Sequence, residues 1–198
     1  AQVQRLAAEI EPWEVHHDQG YLVVELRDEA DWRFLTGLGL VPEVDEALTA
    51  QLRRPLVRLP GQVQGIPSFP CYRTVEETFA SAQALVSGHP SLAQWIDVGD
   101  SWEKATPGGG AGYDLQVLRL TNAAVPGPKP ALFVMAAIHA REYTTAETLT
   151  RFAEALVNGY GSDPDATWIL DSHELHLLLQ TNPEGRKQAE TGLFWRKN

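Results

Sequence analysis

A chain of 198 residues, 43 % hydrophobic and 21 % charged, has room for one mid-sized domain, or for one domain with a small companion, and has the make-up of an ordinary globular protein. The net charge of −10 is spread evenly, with 11 acids and 6 bases in residues 1–65 and 15 acids and 10 bases in 66–198; with no basic stripe, neither a nucleic-acid partner nor an anionic membrane surface is expected. No apolar run approaches the ~20 residues that span a bilayer, no charged-then-apolar signal segment is read at the start, and the single Cys71 leaves no internal disulfide and no cysteine metal cluster.

In chain order, YLVVEL at 21–26 reads as a strand. Asp28 is a plausible N-cap for a short helix, DEADWRFLTG, that ends at Gly37. The apolar stretch LGLVPEV follows, so a small β-α-β unit is expected over roughly 20–50. Pro55, Pro60, Gly61, Gly65, Pro67 and Pro70 then punctuate one stretch, which has the composition of an interdomain linker. The expected organisation is an N-terminal α/β extension, 1–65, and a second domain, 66–198.

After the linker, Val75, Phe79, Ala82, Leu85 and Val86 fall at three-to-four spacing, an amphipathic helix stopped by Gly88. Trp95–Gly99 and Tyr113–Thr121 read as strands joined by a loop with PGGGAG. A strand rather than a helix follows those glycines, so they are read as a flexible loop and not as a phosphate cradle. ALFVMAAI, 131–138, is apolar at every position, the pattern of a parallel strand covered on both faces. The helix after it carries Ala146, Leu149, Phe152, Ala153, Leu156 and Val157 on one side, and Thr144 with Glu147 has capping-box spacing. ELHLLLQ, 174–180, is another strand, with NPEG expected as the turn that ends it. Strand, helix, strand in this order predicts an α/β fold with a mixed, largely parallel sheet flanked by helices.

The chemistry gathers where the 131–138 strand stops. His139, Arg141 and Glu142 stand at the carboxyl end of a strand, where open α/β sheets collect ligands. A histidine and a glutamate three apart on a tight turn can face one cation, and imidazole nitrogen and carboxylate oxygen both suit Zn²⁺. Spacing alone leaves this reading open beside a plainer one, since a glutamate in a first helical turn is favoured by the helix dipole anyway. The remaining histidines are poorer ligands: His173 and His176 fall on opposite faces of a strand, His16 and His17 lie in a polar stretch, and His89 begins a loop.

Two further segments bear on the choice. Asn182 of TNPEG follows His139 by 43 residues, and LFWRKN closes the chain. Together with the strand ending in His-Ala-Arg-Glu, these motifs resemble the zinc carboxypeptidases of the carboxypeptidase A type. FPCYRTVEET and HPSLAQWIDVGDSWE also look like that family's opening helix and first hairpin, so the likeness covers about 70–198. The resemblance implies that His139 and Glu142 ligate zinc, that Arg141 helps bind substrate, and that Arg196 polarises the scissile carbonyl and holds the oxyanion. Without that context Arg196 would read as a member of a surface salt bridge. The implied substrate is a peptide or protein C-terminus, and the implied location is secreted or periplasmic, with the cytoplasm still open.

The resemblance also implies residues that find no match here: a third zinc ligand, an Asn-Arg pair for the substrate carboxylate, a late tyrosine and a glutamate general base. Asn198 is not read as that asparagine. The chain is therefore expected to be the N-terminal part of such a domain, holding zinc weakly, inactive alone, with an exposed sheet edge and possible pairing with the missing part. Residues 1–65 read either as a short relative of the family's inhibitory propeptide or as an unrelated extension. The alternatives are a related zinc amidase or deacylase, and a catalytically dead binding domain.

Overall fold

The computed structural model describes residues 2–54, 57–58 and 64–197. Pro55, Pro60, Gly61 and Asn198, which carry part of the linker reading and the closing asparagine, lie outside the described residues. The chain divides into two compact units, Ala1–Pro55 and Leu56–Asn198.

In the first unit, α1 (Gln2–Ala7) precedes an antiparallel hairpin of β1 (Pro12–His16) and β2 (Tyr21–Val24), followed by α2 (Glu29–Gly37) and α3 (Glu46–Leu52). Asp28 caps α2, its carboxylate accepting from the N–H groups of Ala30 and Asp31. Leu6, Ile10, Leu35 and Leu38 form the core. The β-α-β expectation fails. LGLVPEV forms no strand, and the partner of β2 is β1, which precedes it. Gly39 turns the chain with φ +76°, Pro42 has no N–H to give a ladder, and Val41 and Val44 are exposed.

The second unit opens with α4 (Val75–Gly88), β3 (Ala93–Asp100), α5 (Trp102–Ala105) and β4 (Asp114–Leu120). It continues through β5 (Ala131–Met135), α6 (Tyr143–Gly159), α7 (Pro164–Ser172), β6 (Glu174–Leu178) and α8 (Pro183–Glu190). The four-stranded sheet runs β3-β4-β6-β5. It is mixed: β5 lies parallel to β6, whereas β3 with β4 and β4 with β6 are antiparallel. A short excursion joins β3 to β4, which permits an antiparallel pair; β5 reaches β6 through two helices, the long crossover that a parallel pair requires. The core contains Ala82 and Leu85 of α4, Leu118 and Leu120 of β4, Leu149, Ala153 and Leu156 of α6, and Leu175 and Leu177 of β6.

Several expectations change here. β5 is not covered on both faces: among the described residues it is the edge strand, and Leu132, Phe133 and Met135 are 53 %, 52 % and 45 % exposed. Phe152 is also partly exposed, and Glu147 and Thr150 are buried on α6 in addition to the apolar face. NPEG begins α8 and does not end a strand as a turn, because Asn182 caps the helix and Pro183 occupies its first turn. α7 was unforeseen, although Asp163 before Pro164 is a strong start signal. The loop with PGGGAG packs against α5: a Cβ at Gly109 would lie 2.2 Å from the Glu103 carbonyl oxygen. Part of the Pro/Gly stretch is folded onto α4, with the Gln64 and Gly65 N–H groups donating to Glu77 and Ile66 buried.

A candidate metal centre at the end of β5

The chain leaves β5 through Ala136 and Ala137 and makes a tight turn before α6. Ala136 stays in the sheet, donating to the Leu178 carbonyl and accepting from the Thr181 N–H. Ala137 is buried and left-handed, with φ +55°, a conformation that costs a non-glycine residue free energy. Its N–H donates to Thr145 Oγ1 at 3.1 Å, and Thr145 Oγ1 in turn donates to the Glu142 carbonyl at 2.9 Å. The Glu142 N–H donates to the His139 carbonyl, so 139–142 closes on itself.

This turn sets His139 Nδ1 2.9 Å from Glu142 Oε1, with both side chains partly open to solvent. Glu142 occupies the N-cap position of α6 but makes no side-chain cap bond. The expected capping box at Thr144 is absent for a second reason. Glu147 is buried and committed elsewhere, accepting from the Arg73 backbone N–H, the Arg73 guanidinium and the Arg151 Nε.

Arg141 and the closing segment meet at the same place. The Arg141 guanidinium lies 3.8 Å from the centroid of the Phe194 ring, a cation–π contact. The Arg196 carbonyl accepts from the Ala140 N–H at 3.3 Å. Thus two motifs distant in sequence are brought together by the fold.

Asn182 and Arg186 are what sequence reasoning missed. Asn182 Oδ1 accepts from the Gly185 N–H and caps α8, while its Nδ2 donates to the Ile138 carbonyl at 3.3 Å and the Lys197 carbonyl at 2.8 Å. One amide therefore joins the turn to the segment bearing Arg196. Arg186 is fully buried and donates to the Ala140 and Tyr143 carbonyls at 3.1 and 3.0 Å. Neither role was legible, because capping by Asn182 leaves its second amide group free to reach residues remote in sequence, and a burial site for arginine has no local pattern.

The donor chemistry at His139 and Glu142 fits zinc: one imidazole nitrogen and one carboxylate oxygen converge from a single turn. Among the described residues no group of three histidine, cysteine, aspartate or glutamate side chains could hold a metal. His173 caps the end of α7 instead of lying in the strand, and His176 Nε2 sits 2.7 Å from Glu174 Oε1 in β6.

The profile of the zinc carboxypeptidase family matches residues 79–198. The chain belongs to the zinc carboxypeptidase family. It is 33 % identical to carboxypeptidase A2 of Rattus norvegicus over 131 residues, covering 66 % of this chain and 29 % of that protein. It is 32 % identical to a zinc carboxypeptidase of Saccharothrix mutabilis subsp. capreolus over 140 residues, covering 68 % of this chain and 30 % of that protein. The chain thus spans about three tenths of the length of these relatives. The fold is similar to that of thrombin activatable fibrinolysis inhibitor, with TM-score 0.65 and 19 % identity over 100 % of this chain and 50 % of that one. It is also similar to carboxypeptidase A from Helicoverpa armigera, with TM-score 0.58 and 20 % identity over 99 % and 48 %. A mixed α/β sheet flanked by helices is common to them. Among the described residues no helix is long and apolar enough to cross a membrane.

Proposed function

We propose that this chain carries part of the active site of a zinc-dependent metallocarboxypeptidase that releases C-terminal residues from peptides. The observation that carries the reading is the contact of His139 with Glu142 on a turn that also holds Arg141 and abuts the segment of Arg196. His139 and Glu142 would hold the metal. Bound there, zinc would supply Lewis acidity toward a peptide carbonyl and lower the pKa of a water.

The remaining work falls to the chain's own cations. Arg196 holds the developing oxyanion as the carbonyl is attacked, a preorganised charge where negative charge appears. Arg141, held against Phe194, binds the substrate. The third ligand, the base and the side-chain pocket come from a further part of the domain, which is also the partner proposed for this chain. Residues 1–65 act as a propeptide-like extension before the catalytic part at 66–198, and the location is secreted or periplasmic.

The test pairs zinc binding with activity on the 198-residue chain. Equilibrium dialysis should show weak zinc binding that is lost in His139→Ala and in Glu142→Ala. N-acyl dipeptides with a free C-terminus should release no amino acid. Zinc binding indifferent to both substitutions would remove the metal site, and a clear rate of C-terminal release would overturn the assignment of the base elsewhere.

A further inference from the structure

Arg186 is a charge in an expensive place. Its side chain is fully buried on α8, and burial lowers its guanidinium from the usual 12.5 to about 10. It therefore remains a cation at neutral pH. Among the described residues it forms no ion pair. Its Nη1 and Nη2 donate to the carbonyls of Ala140 and Tyr143, its plane lies over the Tyr143 ring at 4.6 Å, and its Nε finds no acceptor. A helix that needed only apolar contact here would be better served by methionine or leucine, without the desolvation penalty.

The two carbonyls it engages bracket Arg141 and Glu142. They belong to the turn that enters α6, whose N-cap residue supplies no side-chain cap bond. Tyr143, on the same face, is also tied down, its hydroxyl donating to the Ala189 carbonyl at 2.7 Å. Arg186 and Tyr143 thus lock α8 to the turn from beneath.

We propose that Arg186 is a positioning residue for the metal pair: its guanidinium fork, bonded to the carbonyls of residues 140 and 143, fixes the turn so that Glu142 and His139 converge. This rests on the zinc reading above and deepens it. Arg186 acts through the backbone and touches neither ligand side chain. The planar fork matters, because a lysine ammonium is a point donor that cannot hold two separated acceptors in one geometry. Partners that orient ligands in this way typically change metal affinity about 10–100-fold when lost.

The experiment compares the 198-residue chain with Arg186→Lys, Arg186→Met and His139→Ala. Zn²⁺ alone is titrated calorimetrically, and the histidine ring resonances are followed by NMR without metal. Arg186→Lys should stay folded, bind zinc about 10-fold more weakly, and shift the His139 ring resonances while those of His16 and His176 hold still. Arg186→Met should weaken binding further. If Arg186→Met does not fold, Arg186→Lys decides alone. A folded Arg186→Lys that binds zinc within about twofold of the unsubstituted chain, with His139 unmoved, overturns the proposal. If zinc fails to bind the unsubstituted chain, or binds His139→Ala equally, the metal reading falls instead, and the metal-free His139 shift still reports whether the clamp exists.

Discussion

α4 and α6 lie against each other and begin in opposite ways. α4 has a complete capping box: Thr74 Oγ1 accepts from the Glu77 N–H, and the Glu77 carboxylate accepts from the Thr74 N–H. α6 has Glu142 at its N-cap with no cap bond, and spends that carboxylate on His139. Both helices carry a threonine followed three residues later by a glutamate. Only in α4 does the pair do what its spacing implies. In α6 the second member, Glu147, is buried between Arg73 and Arg151. Local rules hold where the helix start serves only the fold, and are broken at the start that carries the proposed site.

The largest expected effect removes the anchor that displaces the capping box. Glu147→Ala leaves Arg73, only 3 % exposed, without one of its two carboxylates, and should destabilise the second unit by about 3 kcal/mol in urea denaturation. A loss well under that would mean that Glu154, which also pairs with Arg73 at 2.7 Å, carries the charge alone. Next comes the intact cap. Thr74→Ala should lower stability by about 1 kcal/mol, whereas Glu142→Gln, which removes no cap bond, should stay within about 0.5 kcal/mol yet abolish zinc binding. Equal stability losses for the two would erase the contrast.

A smaller, graded version uses pH. Burial would raise the Glu77 carboxyl, but the N–H groups of Thr74, Gln64 and Gly65 outweigh it and hold the group below its ordinary 4.5. A depressed carboxylate stabilises the fold fully above the unfolded value and loses that contribution as pH falls through the folded one. Amide exchange at Thr74 and Gly65 should therefore accelerate, after correction for intrinsic rates, as pH drops below about 4.5. Unchanged protection down to pH 3 would show that the box does not depend on the charge.

Much of the second unit was legible from pattern alone. The α4 face follows from periodicity, which reports burial on one side of an element, and β3, β4, β5 and β6 stand where the apolar segments were read. His139, Arg141 and Glu142 were read from motifs and lie on one turn, which the Arg196 carbonyl meets at the Ala140 N–H. What stayed hidden depends on neighbours. The exposure of Leu132 and Phe133 reflects which strands flank β5, and no apolar run encodes its own partners. Val41 and Val44 looked like strand residues, yet Gly39 and Pro42 prevented pairing. Asn182 and Arg186 act on carbonyls more than 40 residues away, and carbonyls leave no trace in side-chain identity.

Ala137 has a consequence at the level of the gene. Its left-handed backbone costs about 1–2 kcal/mol for any residue with a Cβ, and every alanine codon is a single nucleotide from a glycine codon. Relief is therefore one mutational step away, at a residue that is 1 % exposed. Drift that softened this corner would gain backbone ease and lose a buried methyl. A lineage that keeps alanine here is keeping a stiff corner, and a survey of natural variants at this codon would read out that preference directly.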